Sequence, residues 1–145
     1  MDTPTWHLEF QDPPGEGVAE ALRACLSAHN EALAGRPRAT ASLAWIARDA
    51  QGARVGGLLA EHAWQWLYIQ ALWVNADRRG RGAGRALMDA AEAWGRARDA
   101  VGIMLETADF QAPGFYERLG FTVCGQVADL PPGATTYFMT KRLTS

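Results

Sequence analysis

Residues 78–86 read Arg-Arg-Gly-Arg-Gly-Ala-Gly-Arg-Ala, types and a spacing suited to holding a multiply charged anion. Gly80, Gly82 and Gly84 alternate, which lets the backbone turn sharply and aim its N–H groups at a ligand. A helical pattern running from Ala86 to Ala97 follows at once. Its first turn adds unpaired N–H groups and the positive end of a dipole, roughly half a unit charge. Arg78, Arg79, Arg81 and Arg85 crowd the same turn, out of fourteen basic residues in the chain. The simplest anion for such a pocket is a pyrophosphate.

Two common phosphate loops do not fit. A dinucleotide fingerprint needs a third glycine where Leu87 stands, and a Walker loop needs a Gly-Lys pair, whereas the one lysine is Lys141. What remains, Arg79-x-x-Gly82-x-Gly84, resembles the pyrophosphate signature of the GNAT family of N-acetyltransferases. A second stretch is similar to the later half of that family's core. It comprises Leu105-Glu106-Thr107 and then Ala112-Pro113-Gly114-Phe115-Tyr116-Glu117-Arg118-Leu119-Gly120-Phe121. The likeness covers residues 42–142 firmly and the N-terminal helix loosely. The wording Glu-Thr-x-x-Phe-Gln-Ala-Pro-x-Phe-Tyr resembles a bacterial subgroup to which the resemblance assigns no substrate.

The resemblance implies an acetyl-CoA-dependent N-acetyltransferase that moves an acetyl group to a primary amine by direct attack. Such transfer needs a held thioester, a neutral amine, a stabilised oxyanion and a proton for the thiolate. Holding falls to the amides of Arg79, Gly80, Arg81, Gly82, Ala83, Gly84 and Arg85. By resemblance the backbone of Leu72, Trp73 and Val74 also holds the pantetheine arm, in a sheet splayed between strands 67–74 and 102–107. An N–H near Leu72 would face the oxyanion. Asp109 stands where the family often has an asparagine that touches the same arm. Tyr116 matches the tyrosine beside the sulfur; its phenol, with a reference pKa near ~10, keeps its proton at neutral pH and can donate it. The other role for Tyr116 is packing beside Phe115.

The base is open. Glu61, near the end of a strand that should border the acceptor cleft, leads; Glu106, Glu31, His62 and a water chain are the alternatives. His29 lies on the apolar face of the first helix, where a core histidine is the commoner outcome. His29 and Asn30 become acceptor contacts if this helix lines the cleft, as it often does in the family. Trp45, Trp64, Trp66 and Trp73 read mostly as core, with an acceptor wall or a homodimer contact as the other uses. No metal site is expected. A non-catalytic acyl-CoA-binding module, or an enzyme acting on a protein amine, is the competing function. Retention of Tyr116 beside the loop favours turnover, since binding alone needs no proton donor.

Bulk properties fit a small cytoplasmic enzyme. The chain has 145 residues, 48% hydrophobic and 21% charged, with net charge −2. A domain of that size buries roughly two-thirds of its unfolded surface. The charge balance gives no general attraction to nucleic acid or to an anionic membrane, and favours a cationic acceptor only weakly. No apolar run reaches the ~20 residues of a membrane span, and Met-Asp-Thr-Pro-Thr lacks the features of a signal peptide. Cys25 and Cys124 show no pairing pattern, consistent with free thiols.

These motifs need a scaffold. Trp6, Leu8 and Phe10 alternate, predicting a first strand ended by Asp-Pro-Pro-Gly. Val18 to Leu33 follow helical spacing and stop at Gly35-Arg36-Pro37. Strands are expected at 42–48, 54–61, 67–74, 102–107, 121–127 and 135–142, and a short helix at 113–119. Leu87, Ala90, Ala91 and Trp94 form the buried stripe of the helix after the glycine loop. The expected fold is a single α/β domain over 1–145. Its sheet is mixed and mostly antiparallel, flanked by helices, and the strands either side of that helix are its one parallel pair.

Overall fold

A computed structural model describes residues 2–3 and 5–144 of the chain. Met1, Pro4 and Ser145, the ends of the expected domain among them, lie outside the described residues. The chain forms two compact units, Met1–Arg38 and Ala39–Ser145.

The first unit holds one helix, α1 (Val18–Ala34), closed by Gly35, whose left-handed backbone sends its N–H back to the carbonyl of Glu31. The strand expected at Trp6–Phe10 does not form, and all three of its apolar residues are exposed. Alternation marks a segment that can pair, but a strand exists only where a ladder partner takes its backbone groups, and among the described residues every ladder lies between residues 41 and 142. No residue of α1 is buried, so His29 is exposed rather than a core histidine, and Asn30 is half-buried.

The second unit follows the expected order closely. It runs β1 (Ala41–Arg48), β2 (Arg54–Ala63), β3 (Trp66–Val74), α2 (Ala83–Arg96), β4 (Gly102–Ala108), α3 (Pro113–Arg118), β5 (Thr122–Ala128) and β6 (Thr135–Arg142). The strands form one sheet in the order β1-β2-β3-β4-β6-β5. All neighbours are antiparallel except β3 and β4, which α2 connects. That single crossover makes the fold α/β.

One face of the sheet carries the core. Leu58, Leu67, Ile69, Ile103, Leu105 and Met139 meet Leu87, Met88 and Ala91 of α2; Met88 joins the predicted stripe, while Ala90 is half-buried and outside the core cluster. Trp94 closes this layer, edge-on to Trp45 at 6.4 Å and to His62 at 5.3 Å. The opposite face alternates with the first and exposes Leu59 and Met104. Among the described residues no helix is long and apolar enough to cross a membrane.

Two features of β3 shape the site. Its ladder with β4 has only three registered pairs, Trp66–Gly102, Leu67–Ile103 and Tyr68–Met104, after which the strands part. A Cβ at Gly102 would lie 2.6 Å from the Trp66 ring, so only glycine lets that indole seat over the seam. Beyond it, Ile69 pairs with Ala60 and Ala71 with Leu59, leaving Gln70 as a bulge. The extra residue reverses the alternation. Leu67 and Ile69 face the core before the bulge, and Leu72 and Val74 pack against it afterwards. Trp73 is thereby turned outward, 61% exposed, rather than into the core.

Candidate active site

The parting of β3 and β4 opens a cavity of about 970 Å³, walled by Ile69–Val74 on one side and Leu105–Thr107 on the other. The glycine loop and the start of α2 close one end, and Phe115 and Tyr116 of α3 line it as well. All its lining residues belong to the second unit.

The loop end is built to receive negative charge. Gly80 and Gly82 adopt left-handed backbone, φ 76° and 87°, which lets the chain enter α2 without a side chain at the mouth. Gly82 is the N-cap, and no side chain caps the helix. The consecutive amides of Gly80 to Arg85 make no hydrogen bond with any described residue, while Ala86 N–H begins the helical ladder by donating to Gly82 O. Such a row of free donors at a dipole's positive end is an anion cradle.

The arginines divide the work around it. Arg79 stacks 4.6 Å from the Trp73 ring centroid, and its Nε donates to Val74 O at 2.9 Å. Arg85 is exposed and lies 3.8 Å from Asp89 one turn on. Arg78 lines the cavity and pairs with Asp49 at 3.5 Å. Asp49 Oδ1 in turn accepts from the N–H groups of Gln51 and Ala53, so the β1–β2 turn buttresses the loop. Arg81 does not line the cavity.

Along the wall, the edge of β3 past Tyr68 has no strand partner on the β4 side. Asn75 N–H donates to Val55 O on β2. By alternation along an extended strand, the backbone groups of Val74 and Leu72 turn the other way, into the gap. Apart from the Val74 carbonyl, which already accepts from Arg79 Nε, these are the groups an added strand-like ligand would engage.

Tyr116 is half-buried, with its ring edge-on to Phe115 at 5.1 Å and to Phe121 at 5.9 Å. Burial pushes its phenol above the ordinary value, which keeps the proton in place. Its hydroxyl makes no hydrogen bond with a described residue. The turn that delivers α3 is fixed by Gln111, whose Oε1 accepts from Ala108 N–H at 2.8 Å. Pro113 starts the helix, as the sequence indicated.

The remaining candidates stand apart. Asp109 does not line the cavity; it ties the end of β4 to the start of β6, donating to Thr135 O and accepting from Thr135 N–H at 3.1 Å. Glu61 lies on β2 directly across from Tyr68, outside the cavity lining. His29 and Asn30 belong to the first unit. Conversely, the cavity includes Gln70, Thr107, Gln111 and Arg118, which the sequence did not single out. Glu106 also lines it, and the Tyr68 hydroxyl donates to its Oε1 at 2.8 Å. That hydrogen bond, with burial and the carboxylate's charge adding, pushes the Tyr68 phenol up.

Known proteins share this fold. The model of the acetyltransferase (GNAT) family matches residues 5–121. A blasticidin-S acetyltransferase from Streptomyces morookaense is 45% identical over 96 residues, 64% of this chain and 69% of that protein. The crystal structure of an acetyltransferase from Bacillus cereus superposes with TM-score 0.86 at 25% identity, covering 95% of this chain and 98% of the other. A streptothricin acetyltransferase structure from Bacillus anthracis, in complex with acetyl coenzyme A, shares the fold. Its TM-score is 0.64 at 24% identity, over 71% of this chain and 63% of that one.

Proposed function

The chain belongs to the GNAT family of acetyltransferases, and from that premise we propose that it acetylates a primary amine of a small molecule by direct attack in a ternary complex. The single observation that carries this reading is the junction of three features in one cavity. They are the unpaired amides of Gly80, Gly82, Ala83, Gly84 and Arg85, the open edge of β3 and the protonated Tyr116. Their chemistry fits the parts of acetyl-CoA in order: pyrophosphate, amide-bearing arm, thioester.

Acetyl-CoA supplies a thioester whose acetyl group passes to the amine as the C–N bond forms and the C–S bond breaks. The loop amides, with Arg79 and Arg85 beside them, bind and orient the phosphates. The gap-facing groups of Leu72 and Val74 hold the arm as one more strand, and the Leu72 N–H is the donor for the developing oxyanion. Tyr116 gives its proton to the departing sulfur and recovers one from solvent. The amine's surplus proton leaves by water on the side where Glu61 flanks Tyr68. The relative named for blasticidin S supports a small-molecule acceptor over a protein amine.

The test is release of free thiol from acetyl-CoA in the presence of a panel of amines that includes blasticidin S and a terminal peptide amine. Turnover with a small amine and not the peptide is the expected result. Calorimetric CoA binding without turnover on any amine would return the protein to the acyl-CoA-binding class.

A further inference from the structure

We propose that Glu106, held in place by Tyr68, is the acceptor-recognition group of this site and selects amines that arrive as cations. The inference rests on the acetyl-transfer reading above and deepens it by naming the charge of the acceptor.

The cavity is strongly polarised. Arg78, Arg79, Arg85 and Arg118 line it, and Glu106 is the one acid among its lining residues. Glu106 makes no ion pair with any described arginine, so its charge is not spent on the scaffold. Its placement follows from the fork. Tyr68 and Met104 are the last paired residues of the parallel seam, and Glu106 is two positions beyond Met104 on the same side of β4. That side is opposite α2, because Ile103, Leu105 and Thr107 between them are buried. The carboxylate therefore stands where the gap meets the face of the sheet opposite α2.

Tyr68 fixes it there. The 2.8 Å hydrogen bond spans from β3 to β4 at the point where the ladder stops, and it occupies Oε1 alone. Oε2 has no partner among the described residues and is the oxygen available to an ammonium group. An exposed glutamate samples several rotamers, so a carboxylate anchored at one oxygen meets a cation with less ordering left to do. Glu106 is thus the binding group, and Tyr68 is a positioning residue that acts through it.

A pair of CoA conjugates tests this without knowledge of the natural acceptor. In both, the sulfur carries a –CH2–CO–NH– linker; one ends in an aminoalkyl group, the other in the alkyl chain of equal length with a methyl end. Calorimetry on the full chain measures both, each affinity referred to that of CoA for the same variant. The wild type should prefer the ammonium end by about tenfold, the worth of one charge-assisted hydrogen bond. Glu106→Gln should erase the preference, and Tyr68→Phe should reduce it to an intermediate value. A merely structural Tyr68 would alter melting temperature or CoA affinity and leave the ratio untouched. A ratio near one in the wild type, or a full ratio in Glu106→Gln, overturns the assignment. Failure of CoA itself to bind the wild type is a separate outcome, which overturns the reading of the cavity and this inference with it.

Discussion

The two ends of α2 are treated in opposite ways by the same chain. At the N-terminal end, six successive amides are left without partners and no side chain caps them. At the C-terminal end nearly everything is tied. Ala97 N–H reaches Ala93 O, and Ala100 N–H reaches Gly95 O. Arg96 donates to Glu92 and to Leu143 O, and Lys141 of β6 pairs with Glu92 at 2.6 Å. One end is stabilised as structure and the other is left available for a ligand. The contrast is one of backbone pairing, and it is the unpaired end, where glycine and arginine gather, that the proposed phosphate site uses.

The sharpest way to break this division is Gly82→Val. A Cβ there would meet no protein atom within 4 Å, so no neighbouring atom clashes with it. The cost is about 1–2 kcal/mol for the left-handed backbone, together with a branched side chain standing in the anion cradle. The variant should fold with a lowered melting temperature and lose at least about a hundredfold in CoA affinity by calorimetry. In Gly84→Ala the new methyl would lie 3.5 Å from the Phe115 ring, an ordinary contact. It should leave the affinity within a fewfold of wild type.

Next in size is Tyr116→Phe, which leaves the cradle intact and tests the chemistry beside it. Affinity for CoA should survive while kcat falls about 10²-fold on an accepted amine. An unchanged kcat would make Tyr116 a packing residue. Arg79→Ala removes the guanidinium over Trp73, and CoA affinity should drop about tenfold. The drop should shrink as salt is raised.

The smallest effect belongs to the other end of the helix. Burial raises the Glu92 carboxyl, but hydrogen bonds from Lys141 and Arg96 outweigh it and hold the group below its ordinary value of 4.5. A carboxyl depressed on folding stabilises fully above its unfolded pKa, and that contribution is lost as pH falls through the folded one. Glu92→Gln should therefore lower the melting temperature at pH 7, by the equivalent of about 0.5–1 kcal/mol, and by less near pH 3. Its CoA affinity should match the wild type, which is what separates the two ends.

Much of this was legible in the sequence because it is written in local signals. The glycine loop, the stripe of Leu87, Ala90, Ala91 and Trp94 (from which Ala90 alone departs), and the Pro113 that starts α3 each depend on residues a few positions apart. What was not legible depends on distant partners. Nothing in Leu-Tyr-Ile-Gln-Ala-Leu-Trp-Val marks Gln70 as the bulge, so alternation alone sends Trp73 inward. Trp6, Leu8 and Phe10 had the pattern of a strand but no ladder to join. The hydrogen bond between Tyr68 and Glu106 crosses 38 positions of sequence, which no local spacing encodes.

The three-pair seam between β3 and β4 also has a mechanical meaning. On one side lie β1, β2 and β3, zipped by long antiparallel ladders; on the other lie β4, β6 and β5, zipped in the same way. The sheet is two stiff plates joined along a short line, with α2 laid across β1 to β4 as a brace. A short seam between two long-laddered plates is where bending of the second unit should concentrate, across the width of the fork. A ligand lying in the fork with hydrogen bonds to both plates would lengthen the seam, and the unit would stiffen as it fills.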